Sequence, residues 1–144
     1  MNKYILFLLL LTGLWGRMTD LMAQVSQVSL LESNGKIAVF CVETKAAKKG
    51  EVASEAIRTL FINLLDYGVE GIYGGRKMME TQNPKWRENF FKDKNPPYMA
   101  YVKGYQTEGE PLKSPVGDYQ ATVLVRVNIE FLIRQLKAYG IIHQ

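Results

Sequence analysis

Two side chains in this sequence are of the types that activated catalysis uses most: one histidine, His143, and one cysteine, Cys41. A catalytic histidine needs a partner that orients it and a firm element beneath it. His143 stands next to the last residue, where a chain end is expected to fray, so a triad or metal site there would lack support. A nucleophilic cysteine needs exposure and a neighbouring base or positive charge. Cys41 lies in "KIAVFCVE" between Phe40 and Val42, a setting that favours a small core hydrophobe over a reactive thiol. The carboxylates Glu51, Glu55, Asp66, Glu70, Glu80 and Glu88 are spread along the chain. Glu51 and Glu55 share one helix face, which reads as a solvated face. A glycosidase-type pair stays open, because such pairs meet in space and not in sequence.

The stretch "GIYGGRKMM" places Gly74 and Gly75 beside Arg76 and Lys77. Backbone amides at adjacent glycines can cradle an anion, with the two cations assisting. The spacing is not that of a phosphate loop, and the stretch follows a helix instead of a strand. A turn after a helix is the competing reading. Aromatics gather next: Trp86, Phe90 and Phe91, then Tyr98, Tyr101 and Tyr105. Such residues build interfaces and cores alike. No metal site and no cofactor is expected.

The elements that must position these residues follow from periodicity. In "KIAVFCVE" both alternating faces are apolar, which predicts a strand covered on both sides. Ala53, Ala56, Ile57, Leu60, Phe61, Leu64 and Leu65 recur at three- and four-residue steps, a wide helical stripe that Gly68 closes. Residues 69–97 form an irregular, aromatic-rich excursion, too apolar for a solvated linker. Within it Asn83 caps and Pro84 opens a short helix over 84–92. "YMAYVKGYQTEG" reads as a strand and "EPLKSPVG" as a connector. Tyr119, Ala121, Val123, Val125, Val127 and Ile129 then share one face of a strand, against Gln120, Thr122, Arg126 and Asn128 on the other. Past Asn128 the period becomes helical through Ile129, Leu132, Ile133, Leu136 and Tyr139, so Asn128 ends the strand and caps the helix. The expected fold is α+β: a small three-stranded, mainly antiparallel sheet with a long helix and a C-terminal helix packed on it.

The first 23 residues read differently. "MNKY" precedes the apolar run "ILFLLLLTGLWG", and "RMTDLMA" ends in Ala23. The run has the length of a secretory core and falls short of the about 20 residues that span a membrane. Residues 1–23 are therefore expected to be a cleaved signal peptide, with an uncleaved anchor as the alternative, and residues 24–144 a single α+β domain. No cysteine follows the run, so no lipid anchor is expected. Losing Lys3, Arg17 and Asp20 lowers the net charge from +4 to +3. That mild, scattered excess does not predict nucleic-acid binding. One cysteine leaves no internal disulfide, so the core alone must hold an exported domain.

The alanine-spaced helix "EVASEAIRTLFINLL", the hairpin, and "VRVNIEFLIRQLKAYGI" resemble the dodecin-like strand–helix–strand–strand modules of bacterial envelope proteins. The N-terminal domain of flagellar assembly protein T and the family of the twenty-kilodalton outer-membrane lipoprotein are of this kind. The resemblance covers about residues 36–141 and carries no catalytic signature. It implies a non-catalytic module that docks onto other envelope components in the periplasm, with peripheral membrane association open. On that reading Lys85, Arg87, Phe91 and Lys92 face a protein partner, while Trp86 and Phe90 anchor their helix. A small hydrolase and a glycan or small-ligand binder are the alternatives.

Overall fold

The computed structural model describes residues 27–143. The signal-peptide reading of residues 1–23 lies outside them. Four strands make one sheet: β1 (Val28–Ser33), β2 (Ile37–Ala46), β3 (Val102–Lys113) and β4 (Tyr119–Asn128), ordered β1-β2-β4-β3 with every neighbour antiparallel. The helices are α1 (Val52–Ile62), α2 (Pro84–Phe90) and α3 (Ile129–Ala138). Among the described residues no helix is long and apolar enough to cross a membrane.

The α+β class holds, but the sheet has four strands, not three. The extra strand, β1, pairs with β2 through a hairpin whose turn is built on Asn34. The Asn34 Oδ1 accepts from the amides of Lys36 and Ile37 at 3.0 and 2.8 Å. β1 escapes periodicity because its register shifts between Leu30 and Glu32, leaving Leu31 to break the two-residue alternation.

The β4 register follows the alternation in its sequence. Val123, Val125 and Val127 are buried and Arg126 is exposed. Asn128 does both of its jobs, ending β4 and accepting the Phe131 amide at 3.0 Å as the cap of α3. Gly140 ends α3, and Ile141 turns back so that its amide reaches the Leu136 carbonyl at 2.9 Å. The β3–β4 connection is shorter than the sequence suggests. β3 runs on to Lys113, and the turn occupies 114–118, where the Ser114 amide bonds the Asp118 carbonyl at 2.8 Å.

One core joins the sheet to the helices. Ala38, Phe40, Val42, Val123, Val125 and Val127 meet Ala56, Ile57, Leu60 and Phe61 of α1 and Leu132 and Leu136 of α3. The register pairs Ala38 with Val127, Phe40 with Val125 and Val42 with Val123, so these side chains share one face and the helices cover it. The opposite face of β2, with Ile37, Val39 and Cys41, is only half-buried. This corrects the both-sided reading of "KIAVFCVE". An apolar run does not say how completely each face is covered, and the apolar residues of the 69–97 excursion, which could have covered the second face, went elsewhere.

They went to the end of α1. Its last turn widens into a π-turn, Asn63–Tyr67, which leaves carbonyls without helical partners. Met78 and Met79 supply them, donating to the Leu64 and Leu65 carbonyls at 3.0 Å each. Both methionine side chains are buried, as are Val69 and Ile72. The excursion is therefore the cap of α1 and a wall of the helical side of the core.

Candidate docking surface

The aromatic end of the excursion is built on α2. The Asn83 side chain accepts the Trp86 amide at 3.1 Å and Pro84 occupies the first turn. The helix has seven residues, about two turns, and ends at Phe90, short of the expected 92. Phe90 is its anchor, 2 % exposed, edge-on to Phe61 at 6.0 Å. Trp86 stacks on Phe90 at 4.6 Å but remains half-buried, so it covers the anchor more than it serves as one.

Phe91 is also half-buried. Two guanidinium groups lie over its ring, Arg87 at 4.7 Å and Arg58 at 5.7 Å from the centroid. Arg87 is held in place by Asp66, with Nη2 donating to Oδ2 at 2.7 Å across the junction with the π-turn. Lys85 and Lys92 are exposed. Of the four residues expected to face a partner, Arg87 and Phe91 meet on one ridge, whereas Lys85 stands two positions before Arg87, about 200° round the helix. Arg58 and Asp66 belong to the ridge as well. Neither was legible in the sequence, since Asp66 and Arg87 are 21 residues apart and no short-range pattern connects them.

Gly74, Gly75, Arg76 and Lys77 make a tight turn. The Gly75 amide donates to the Ile72 carbonyl at 2.8 Å and the Arg76 amide to the Tyr73 carbonyl at 3.2 Å. Two of the amides that would cradle an anion are committed to the turn itself. The Arg76 guanidinium stacks over the Tyr73 ring at 4.6 Å, and Lys77 is exposed.

The chain end is not loose at His143. The His143 amide donates to Glu80 Oε2 at 3.0 Å, its Nε2 meets the Thr81 hydroxyl, and the Tyr73 hydroxyl donates to Glu80 Oε1. The hydrogen bond from Tyr73, then that from the His143 amide, hold the Glu80 carboxyl below its usual range. Glu80 engages the backbone of His143 and not its imidazole, so the arrangement lacks the base–orienter link of a triad. It clamps the C-terminal segment to the excursion, helped by the Glu80 and Thr81 amides, which both reach the Ile141 carbonyl at 3.2 Å.

Cys41 opens onto the outer face of the sheet, which corrects its assignment to the core. Burial pushes its thiol up, and the carboxylates of Glu108 and Glu43 push it further. A thiol shifted this way is not an activated nucleophile. Tyr98, stacked on Phe61 at 5.0 Å, and Tyr101 are likewise raised above the usual tyrosine range, chiefly by burial.

Those two tyrosines predict an alkaline limit. Their folded-state pKa lies above the unfolded value, so the stability they contribute is present below about pH 10 and is lost as pH rises past it, because only the unfolded chain then releases the protons. The thermal midpoint should fall steeply above about pH 10. Tyr98→Phe should flatten that fall, and an unchanged slope would show that Tyr98 does not titrate on unfolding.

No family model, curated protein or solved structure matches this chain.

Proposed function

We propose that this is an exported, non-catalytic docking module of the cell envelope, and that the ridge of α2 is where it receives an acidic surface of another envelope protein. The observation that carries the reading is the contact of Phe91 with the guanidinium groups of both Arg58 and Arg87, with Arg87 fixed by Asp66. Arginine and aromatic side chains dominate binding energy at interfaces, most of all when they are held ready before the partner arrives. The exposed Lys85 and Lys92 add positive charge to the same segment, which speeds encounter with an acidic partner. The leader-like start and the resemblance to dodecin-like envelope modules supply the compartment.

Capture from a native envelope fraction tests the surface. Lys85→Glu/Lys92→Glu should reduce recovery of the partner by about tenfold while leaving the thermal midpoint almost unchanged, since exposed substitutions usually shift stability by about half a kcal/mol or less. Phe91→Ala should reduce it further, at some cost in stability. Undiminished recovery by the double charge reversal would remove the ridge as the docking site. The compartment is tested separately: the intact mass of the exported protein should correspond to a chain beginning near Gln24. A mass retaining residues 1–23 would support the anchor alternative.

A further inference from the structure

The face of the sheet turned away from the helices has an ordered chemistry. The strand registers place its side chains in cross-strand rows. One row holds Cys41 of β2 opposite Leu124 of β4, with Gln106 of β3 beyond. On one side of it the next row holds Glu43, Thr122 and Glu108. On the other side lie Glu32 of β1, Val39 and Arg126, with Gly104 beyond. The centre is thus apolar at Cys41 and Leu124, one flank carries two carboxylates, and the opposite flank carries the Arg126 guanidinium with Glu32 two strands away at the β1 edge. Glu43, Glu108 and Arg126 are exposed, and none forms a salt bridge with another described residue.

This arrangement is complementary to itself. A two-fold axis lying along the Cys41–Leu124 row turns one sheet over onto another and exchanges the two flanks. β4 of one copy then lies over β4 of the other, and Arg126 lands above Thr122. That site sits between Glu43 and Glu108, each one strand away, about 4.8 Å. Each arginine meets two carboxylates and the contact occurs twice, as a two-fold interface requires; Glu43 then lies between Arg126 and Glu32 of the other copy, so the pairing through Glu108 is the less opposed of the two. Leu124 faces Leu124 and Cys41 faces Cys41 across the axis. The stem of Lys45 covers Ile37. Val39 and Ile37, half-buried in one copy, are covered in the pair. Sheets pack in this aligned manner about 10 Å apart. Strands of 6 to 12 residues at about 3.3 Å per residue and about 4.8 Å apart cover roughly 500 Å² before side-chain relief is counted, the same order as the about 800 Å² per partner of a stable interface.

We infer that a second copy of this chain docks on the outer sheet face as a two-fold, sheet-on-sheet dimer, with Arg126 of each copy seated between Glu43 and Glu108 of the other. The dimer uses the face opposite the α1–α3 layer and leaves the Phe91 ridge free, so it stands or falls independently of the docking reading above.

Sedimentation of the protein in its exported form, from micromolar to submillimolar concentration, reads the equilibrium. Arg126→Glu should raise the dimer dissociation constant about tenfold to a hundredfold, and Glu43→Arg/Glu108→Arg should do the same. An equimolar mixture of the two variants should recover the dimer, because each then supplies the charge that the other needs. A short thiol-to-thiol cross-linker should join Cys41 to Cys41 in the wild-type protein and in the mixture, but not in either variant alone. A chain that stays monomeric throughout the range overturns the proposal, whether its own residues 1–26 or nothing covers the face. A dimer indifferent to both charge reversals, or one whose Cys41 thiols do not cross-link, places the contact elsewhere and also overturns it.

Discussion

Val125→Asp is expected to leave the domain unfolded at room temperature and neutral pH, while Arg126→Asp, one residue away, leaves it folded. The two side chains point to opposite faces of β4. Val125 is fully buried and sits opposite Phe40 in the β2–β4 register and Tyr105 in the β3–β4 register. A carboxylate there loses its hydration and gains no cation, a cost of several kcal/mol. Domains of this size are held by about 5–15 kcal/mol in total. Arg126 projects into solvent from a strand whose other face does the packing, so its replacement costs little when the protein is dilute enough that self-association adds nothing. The buried aspartate also has a pH signature. Its pKa in any folded form is raised above the unfolded value of about 3.9, so residual stability is greatest below about pH 4 and is lost as pH rises. Thermal and urea unfolding by circular dichroism at neutral and acid pH read all of this. Equal midpoints for the two variants would mean that the β4 register is wrong.

That register could be read from the sequence because one face of β4 is buried and the other is wet, which writes a strict alternation into ten residues. The junction at Asn128 was equally plain. A change from a two-residue to a 3.6-residue period needs a residue that accepts both, and asparagine does. Asn83-Pro84 announced α2 for the same local reason. β1 was hidden because only Val28 and Leu30 of its residues turn inward to any extent and its bulge resets the alternation, although Asn34-Gly35 marked the turn of its hairpin. The position of Cys41 was misread because an apolar run is compatible with a closed face and with a half-open one. The surroundings of Phe91 and His143 are long-range. Arg58 comes from α1 and Asp66 from the π-turn after it, and Thr81 meets His143 across 62 residues. Nothing in a short window can encode such pairs. On the outer face Thr122 and Arg126 were legible from the β4 alternation, but the rows they share with β2 and β3 appear only once the registers are set side by side.

The excursion itself rests on one backbone contact, and Gly68→Ala should break it. Gly68 ends the π-turn after α1 with φ +94° and ψ 153°, a conformation that essentially only glycine adopts. A Cβ at this position would collide with the Gly75 carbonyl oxygen and stand 2.9 Å from the Arg76 carbonyl carbon. Both obstacles are backbone, so no rotamer change relieves them. Moving Gly75 and Arg76 aside would drag Met78 and Met79, whose amides cap the Leu64 and Leu65 carbonyls and whose side chains are fully buried. Strain alone costs about 1–3 kcal/mol, and loss of buried contacts or hydrogen bonds adds to it, so a total above about 3 kcal/mol is expected. For a chain of this length that lowers the thermal midpoint by roughly 10–20 °C. Gly117→Ala is the control. Gly117 also has a positive φ, +98°, but a Cβ there meets nothing within 4 Å, so its cost is the strain alone. The difference between the two variants therefore measures how firmly the excursion is docked against α1. If Gly68→Ala costs no more than Gly117→Ala, the chain at 75–76 yields freely, and the Met78–Met79 cap cannot be what holds the end of α1.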